Sequence, residues 1–312
     1  MLHLRVTCPA EATDAVLDCL RRDSGTVHLV LLRGAAVDPP GDLIQADVAR
    51  EAADGVLAAL GALSIDRVGG ITLEPVDTVL SDAADAAVAA APGDPADALV
   101  WDELIARTGD DSRLTFTFQA FLTLACLIAV VGVVTDSPVT VVGAMVVGPE
   151  FGPLAAIAVG LVLRRADLIR RAAVALGVGF PLAMLIAAAG ALLGEWAGLI
   201  PAGVVGAANQ VDFIYDVGAF SFIVALLAGA AGMLSLTSAK SAALVGVFIS
   251  VTTVPAAGFA VVAATIGEWE TAALSTMQLL VNLVGIAFAG VLVLLARTRR
   301  DNRTLRRPLT QG

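Results

Sequence analysis

The chain is short of the residues that do chemistry. Its 312 positions hold two histidines, three cysteines, one tyrosine and a single lysine, Lys240. Cys8, Cys19 and Cys126 stand at no metal or redox spacing, which argues against a zinc site or a disulfide framework and leaves them as small core residues. His3 and His28 both lie near the front, so no long apolar segment contains an imidazole. No Ser/Lys, Asp/Asp or metal-ligand pair stands out either, so an enzyme working inside a membrane lacks its reagents and no cofactor is called for. The opening stretch has no basic run followed by an apolar core, so no cleaved signal peptide is expected.

Charge is scarce as well. Charged residues make up 15% of the chain and hydrophobic ones 58%, with a mean hydropathy of +0.86, against about a quarter charged in soluble domains. The shortage is local. Residues 1–113 carry 20 of the 29 acidic side chains against 8 basic ones, whereas residues 114–312 are apolar and slightly basic. An acidic front domain has no electrostatic attraction to nucleic acid.

The front end alternates like a sheet protein. Leu2, Leu4 and Val6 fall on one side of a strand, with His3, Arg5 and Thr7 on the other. A helix over 11–22, strands near 25–33 and 42–48, a helix near 50–63 and a strand near 69–75 complete a βαββαβ order, the α+β ferredoxin-like arrangement. The histidines are expected on the face away from the helices, as solvated or interface residues rather than a joint metal site. Val30 and Leu32 share that face with His28, and such a face suits a homo-oligomer or another partner. Residues 77–98, rich in Ala, Asp and Pro, read as a linker. An amphipathic helix over 99–108 leads to the membrane, giving a domain at 1–76 and a linker with pre-membrane helix at 77–113.

Crossing about 30 Å of hydrocarbon takes about 20 apolar residues. Six stretches qualify: 114–134, 138–163, 172–193, 213–234, 241–265 and 273–296. With six spans, all eleven basic residues after position 113 fall on one side: Arg164, Arg165, Arg170, Arg171, Lys240 and six arginines from Arg297 to Arg307. The positive-inside rule then places the front domain and the 297–312 tail in the cytoplasm, around a 114–296 bundle. Gly194-Glu195-Trp196 and Gly267-Glu268-Trp269 repeat a tripeptide at the opposite side, where indole rings anchor at the headgroups.

The second span cannot be one regular helix. In Gly148-Pro149-Glu150-Phe151-Gly152-Pro153, both prolines remove amide donors and clash with the preceding turn. The carbonyls so released must face protein or water. Glu150 falls near the centre of the stretch, where an ionisable group reads first as functional. The plainer reading is a carboxylate that only holds the kink. A similar grammar surrounds Ser250, Thr252, Thr253 and Pro255, whose hydroxyls could satisfy freed carbonyls. Spans 1–3 and 4–6 would then be two inverted three-helix repeats with discontinuous helices. Gln278 and Asn282, four apart, share a face of the last span.

The run Val142-Gly143-Ala144-Met145 to Gly148-Pro149, then Gly152-Pro153 and a basic Arg164-Arg165 loop, resembles a bacterial family known as "domain of unknown function 389". Its members carry a Gly-Ala-Met step and a Pro-Leu-Met-Gly-Pro break; Pro149, Gly152 and Pro153 match, while Glu150-Phe151 replaces Leu-Met. Trp101-Asp102-Glu103 also resembles the family's pre-membrane segment. The resemblance, over most of 99–295, implies a multi-pass bacterial inner-membrane protein and supplies no activity. Two functional readings stand side by side. One is a transporter or channel for a small ion or solute, using Gly148, Pro149, Glu150, Gly152, Pro153, Ser250, Thr252, Thr253 and Pro255. The other is a non-transporting sensor or scaffold whose soluble domain binds a metabolite or partner.

Overall fold

The computed structural model describes residues 1–91, 93, 98–199, 219–238 and 253–304, with residues 219 and 299–304 described by backbone alone. The chain divides into two units, one holding residues 1–103 and the other most of the apolar remainder.

In the first unit the period-two pattern becomes a four-stranded sheet. The elements are β1 (Leu2–Cys8), α1 (Thr13–Arg22), β2 (Thr26–Val37), β3 (Pro40–Val48), α2 (Ala53–Ala62), a short α3 (Ile65–Val68) and β4 (Gly70–Pro75). The strand order is β2-β3-β1-β4, and every neighbouring pair is antiparallel. Alternation in β1 buries Leu2, Leu4, Val6 and Cys8 beside Val16 and Leu20 of α1 and Val56 and Leu60 of α2. Asp42, 3% exposed, sits at the edge of this core. It accepts hydrogen bonds from Thr13 Oγ1 and the Gly34 amide, both at 2.7 Å.

The stretch read as linker contains a further helix, α4 (Asp82–Ala90), started by the Ser81 hydroxyl accepting from the Ala84 amide at 3.4 Å. Alanine is the best helix former, and Ala84 and Ala87 are small enough to bury without any periodic large side chain. The pre-membrane helix, α5 (Trp101–Asp111), runs three residues beyond its expected end.

The second unit consists of apolar helices. These are α6 (Phe116–Val134), α7 (Pro138–Val147), α8 (Phe151–Leu163), α9 (Ala166–Trp196), α10 (Ala219–Thr237), α11 (Thr253–Thr265) and α12 (Trp269–Thr304). Among the described residues, α6, α9, α10 and α12 are each long and apolar enough to cross a membrane. The pair α7/α8, bent by 52°, makes a fifth candidate span. The first half of the expected fifth span (241–252), Lys240 and residues 305–312 lie outside the described residues.

Helices α6 and α9 run in parallel. Gln119 Nε2 donates to the Gly179 carbonyl at 3.2 Å. Nearer the other ends, Gly190 is so close to α6 that an added Cβ would lie 2.9 Å from Leu127. Contact of lower-numbered with lower-numbered and higher with higher residues gives the common direction. Trp196 and Trp269, from the repeated tripeptide, are 88% and 72% exposed, as interfacial anchors would be.

Candidate functional site

The site is built where the second apolar stretch breaks. Helix α7 stops at Val147, and its C-cap Gly148 has left helical geometry (φ −64°, ψ 128°). Helix α8 starts at Phe151, with Glu150 at the N-cap position but without a capping hydrogen bond from its side chain. Pro153 is the third residue of α8, inside the first turn where a missing amide proton costs nothing. The two prolines thus produce two half-helices rather than one kinked rod. Glu150 is held at the joint, 3% exposed.

Its carboxylate meets a residue 103 positions away. Thr253 Oγ1, fully buried in α11, donates to Glu150 Oε1 at 2.5 Å. The other oxygen, Oε2, is buried and has no hydrogen-bond partner among the described residues. Close approach makes this joint tight: a Cβ added at Gly148 would overlap Glu150 Oε2 and lie 2.8 Å from Val254 Cγ2. The sequence-singled segments at 148–153 and around 253–255 therefore meet. Gly148, Glu150, Pro153, Thr253 and Pro255 are buried, Pro149 and Gly152 partly so, and Ser250 and Thr252 lie outside the described residues.

Two further features surround the joint. Gly152 packs against the end of α5, where an added Cβ would lie 2.6 Å from Asp111 Cβ and 3.4 Å from its carboxyl carbon. Asp111 itself is exposed, so one carboxylate is wet and the other, two residues from the same glycine, is dry. On α12, Gln278 and Asn282 are buried, and Gln278 Nε2 donates to Asn282 Oδ1 at 3.1 Å, as their spacing of four predicts.

Sequence reasoning missed Asp111, because an acid in a pre-membrane helix reads as solvated. It also missed a polar knot on the front domain. Asp47 accepts from His3 Nδ1 at 2.8 Å and from His28 Nδ1 at 2.7 Å, and His28 Nε2 pairs with Ser81 Oγ at 2.9 Å. The histidines do share a locus, but a carboxylate stands between them. Register was the missing signal: His3 and Asp47 are direct cross-strand partners in β1 and β3. Burial alone would raise the Asp47 carboxyl, yet the two histidine hydrogen bonds outweigh it and leave it below the ordinary range. Among the described residues no group of three or more His, Cys, Asp or Glu is arranged to hold a metal ion.

Several helices of crossing length, one pair broken around a buried carboxylate, define the class: a multi-pass apolar helical protein compatible with a membrane. The model of the family described as Domain of unknown function (DUF389) matches residues 145–288, a stretch that includes the break in the second apolar segment. No curated protein matches the chain, and no solved structure does.

Proposed function

We propose that the protein is a transporter or channel for a small cation or proton, with Glu150 as its binding group. One observation carries this reading: a carboxylate buried at a helix break, with one oxygen held by Thr253 and the other without a partner. Holding an ionisable group at that depth costs at least ~2.5 kcal/mol, a cost that structural need alone could avoid with an amide. A free carboxylate oxygen beside the unwound Gly148–Pro149 backbone offers a cation two kinds of oxygen ligand. Asp111, exposed against Gly152, is placed to collect that cation from water.

The placement of two prolines supports the inverted-repeat part of the reading. Pro153 stands in the first turn of α8, and Pro255 stands near the described start of α11. An element of three crossings must reappear upside down, which puts the two half-helices face to face at the centre. On this reading the bundle has six spans, with 241–265 as the fifth. Both termini lie in the cytoplasm of a bacterium, and the sheet domain is a ferredoxin-like regulatory module. Flux of protons and monovalent cations into liposomes, compared between wild type and Glu150→Gln, tests it: flux retained at the wild-type rate removes Glu150 from the mechanism.

The sensor or scaffold reading has its own support in the front domain. Val30 and Leu32 on β2 are 44% and 45% exposed, an apolar face suited to a second copy or another protein. Equal cation leak from protein-containing and empty liposomes, with the front domain capturing a partner, would favour it.

A further inference from the structure

A second site lies away from the Glu150 joint, at the ends where α6 and α9 begin. An open cavity of about 600 Å³ is lined there by Arg113, Leu114, Asp167, Arg170, Arg171 and Val174. That volume falls within the roughly 300–1,000 Å³ typical of small-molecule sites. Its charge is one-sided. Asp167 is already held by Arg165, with Nη2 to Oδ2 at 3.0 Å and Nε to Oδ1 at 3.3 Å. Among the described residues Arg113, Arg170 and Arg171 make no ion pair, so three guanidinium groups line one cavity with their charge uncompensated.

The depth of the cavity follows from helix length. Helix α9 has 31 residues, about 46 Å at 1.5 Å per residue, well beyond the ~30 Å of a hydrocarbon core. Its charged first turns, with Arg170 and Arg171, therefore stand in the headgroup layer. Arg113 and Leu114 immediately precede Thr115, the N-cap of α6. Parallel packing of α6 and α9 brings these two entry points side by side. Leu114, 41% exposed, and Val174, 46% exposed, add apolar wall next to the arginines. Charged forks above and apolar side chains beside them match an amphiphile with an anionic head.

We propose that this cavity binds a phosphate-bearing anion, and that its arginines take the phosphodiester of an anionic phospholipid. Guanidinium groups suit phosphate because they offer paired donors in a plane, and each basic residue near an anionic membrane surface strengthens binding about fivefold. The site is independent of Glu150, so loss of cation flux in Glu150→Gln leaves it untouched.

The test uses full-length protein in mixed micelles of phosphatidylglycerol and phosphatidylcholine, with bound lipid counted by native mass spectrometry. Wild type is expected to retain phosphatidylglycerol over phosphatidylcholine. Retention falls by more than tenfold in R113Q/R170Q/R171Q. It also falls severalfold in Val174→Glu, which keeps every arginine and decides the matter if the triple variant does not fold. Inorganic phosphate that displaces the lipid identifies soluble phosphates as the source; lipid held in its presence identifies the bilayer. Equal phosphatidylglycerol retention by wild type and Val174→Glu, or equal retention of both lipids by wild type, overturns the proposal.

Discussion

Gly258 of α11 lies flat against Ala129 of α6: a methyl group at Gly258 would stand 2.5 Å from Ala129 Cβ and 3.1 Å from its carbonyl carbon. Two helix backbones meet there, and neither can give way as a flexible side chain could. Five residues back along α11 is Thr253, the donor to Glu150. The glycine therefore sets how deeply α11 seats and, through it, where the threonine hydroxyl points.

Replacing Gly258 with alanine is expected to force the helices apart at a cost of roughly 1–3 kcal/mol, the usual penalty for overpacking. Thermal unfolding in detergent reads this as a lowered midpoint. An unchanged midpoint would mean that α11 slides freely on α6.

Thr253→Val keeps the shape of the side chain and removes the donor. A hydrogen bond to a charged group contributes about 1.5–3 kcal/mol, so the variant should unfold earlier, and Thr253→Ser should recover most of the loss. If valine and serine behave alike, the contact is packing and the hydroxyl does nothing for Glu150.

Gly148→Ala tests crowding at the joint without changing charge. The new methyl would press on the carboxylate and on Val254, so the Glu150 side chain must move. On the transport reading, cation flux per folded protein falls at least severalfold, beside a loss of stability of roughly 1–3 kcal/mol from overpacking. Full flux from this variant would place the conducting route elsewhere.

Acid should loosen the front domain through two aspartates. The Gly34 amide, then the Thr13 hydroxyl, hold Asp42 below the ordinary carboxylate range, and the histidines do so for Asp47 against the opposing effect of burial. A carboxyl lowered by folding stabilises fully above its unfolded value of about 4, and that stability is lost as pH falls through the lower folded value. Cys8, fully buried in this core, offers the readout: less urea should be needed to expose its thiol to an acid-tolerant disulfide reagent below about pH 4. Asp47→Asn should flatten that dependence.

Local pattern made much of the fold legible. The alternation of Leu2, Leu4 and Val6 marked β1, and the proline pair in 149–153 marked the break between α7 and α8. What local pattern carries no trace of is contact between distant segments. Glu150 could be singled out from its depth in an apolar run, but Thr253 as its donor depends on how α11 seats. Asp47 is one unremarkable acid among many until strand register places it opposite His3. Helix α4 was missed for a different reason: alanine buries without the large periodic residues that make amphipathicity visible.

The Gln119–Gly179 hydrogen bond has a consequence for the order of assembly. The ribosome makes the amide of Gln119 sixty residues before the carbonyl it will donate to. Until α9 is made, that side chain has Thr123, one turn along at 3.3 Å, to shelter its polar end. Such an amide in hydrocarbon is a sticky spot worth roughly 1 kcal/mol to whichever helix first presents an acceptor. Because Gly179 has no side chain to stand in the way, α9 reaches it on arrival. The α6–α9 contact is thus written as a delay: an early donor kept waiting for a late, unobstructed acceptor.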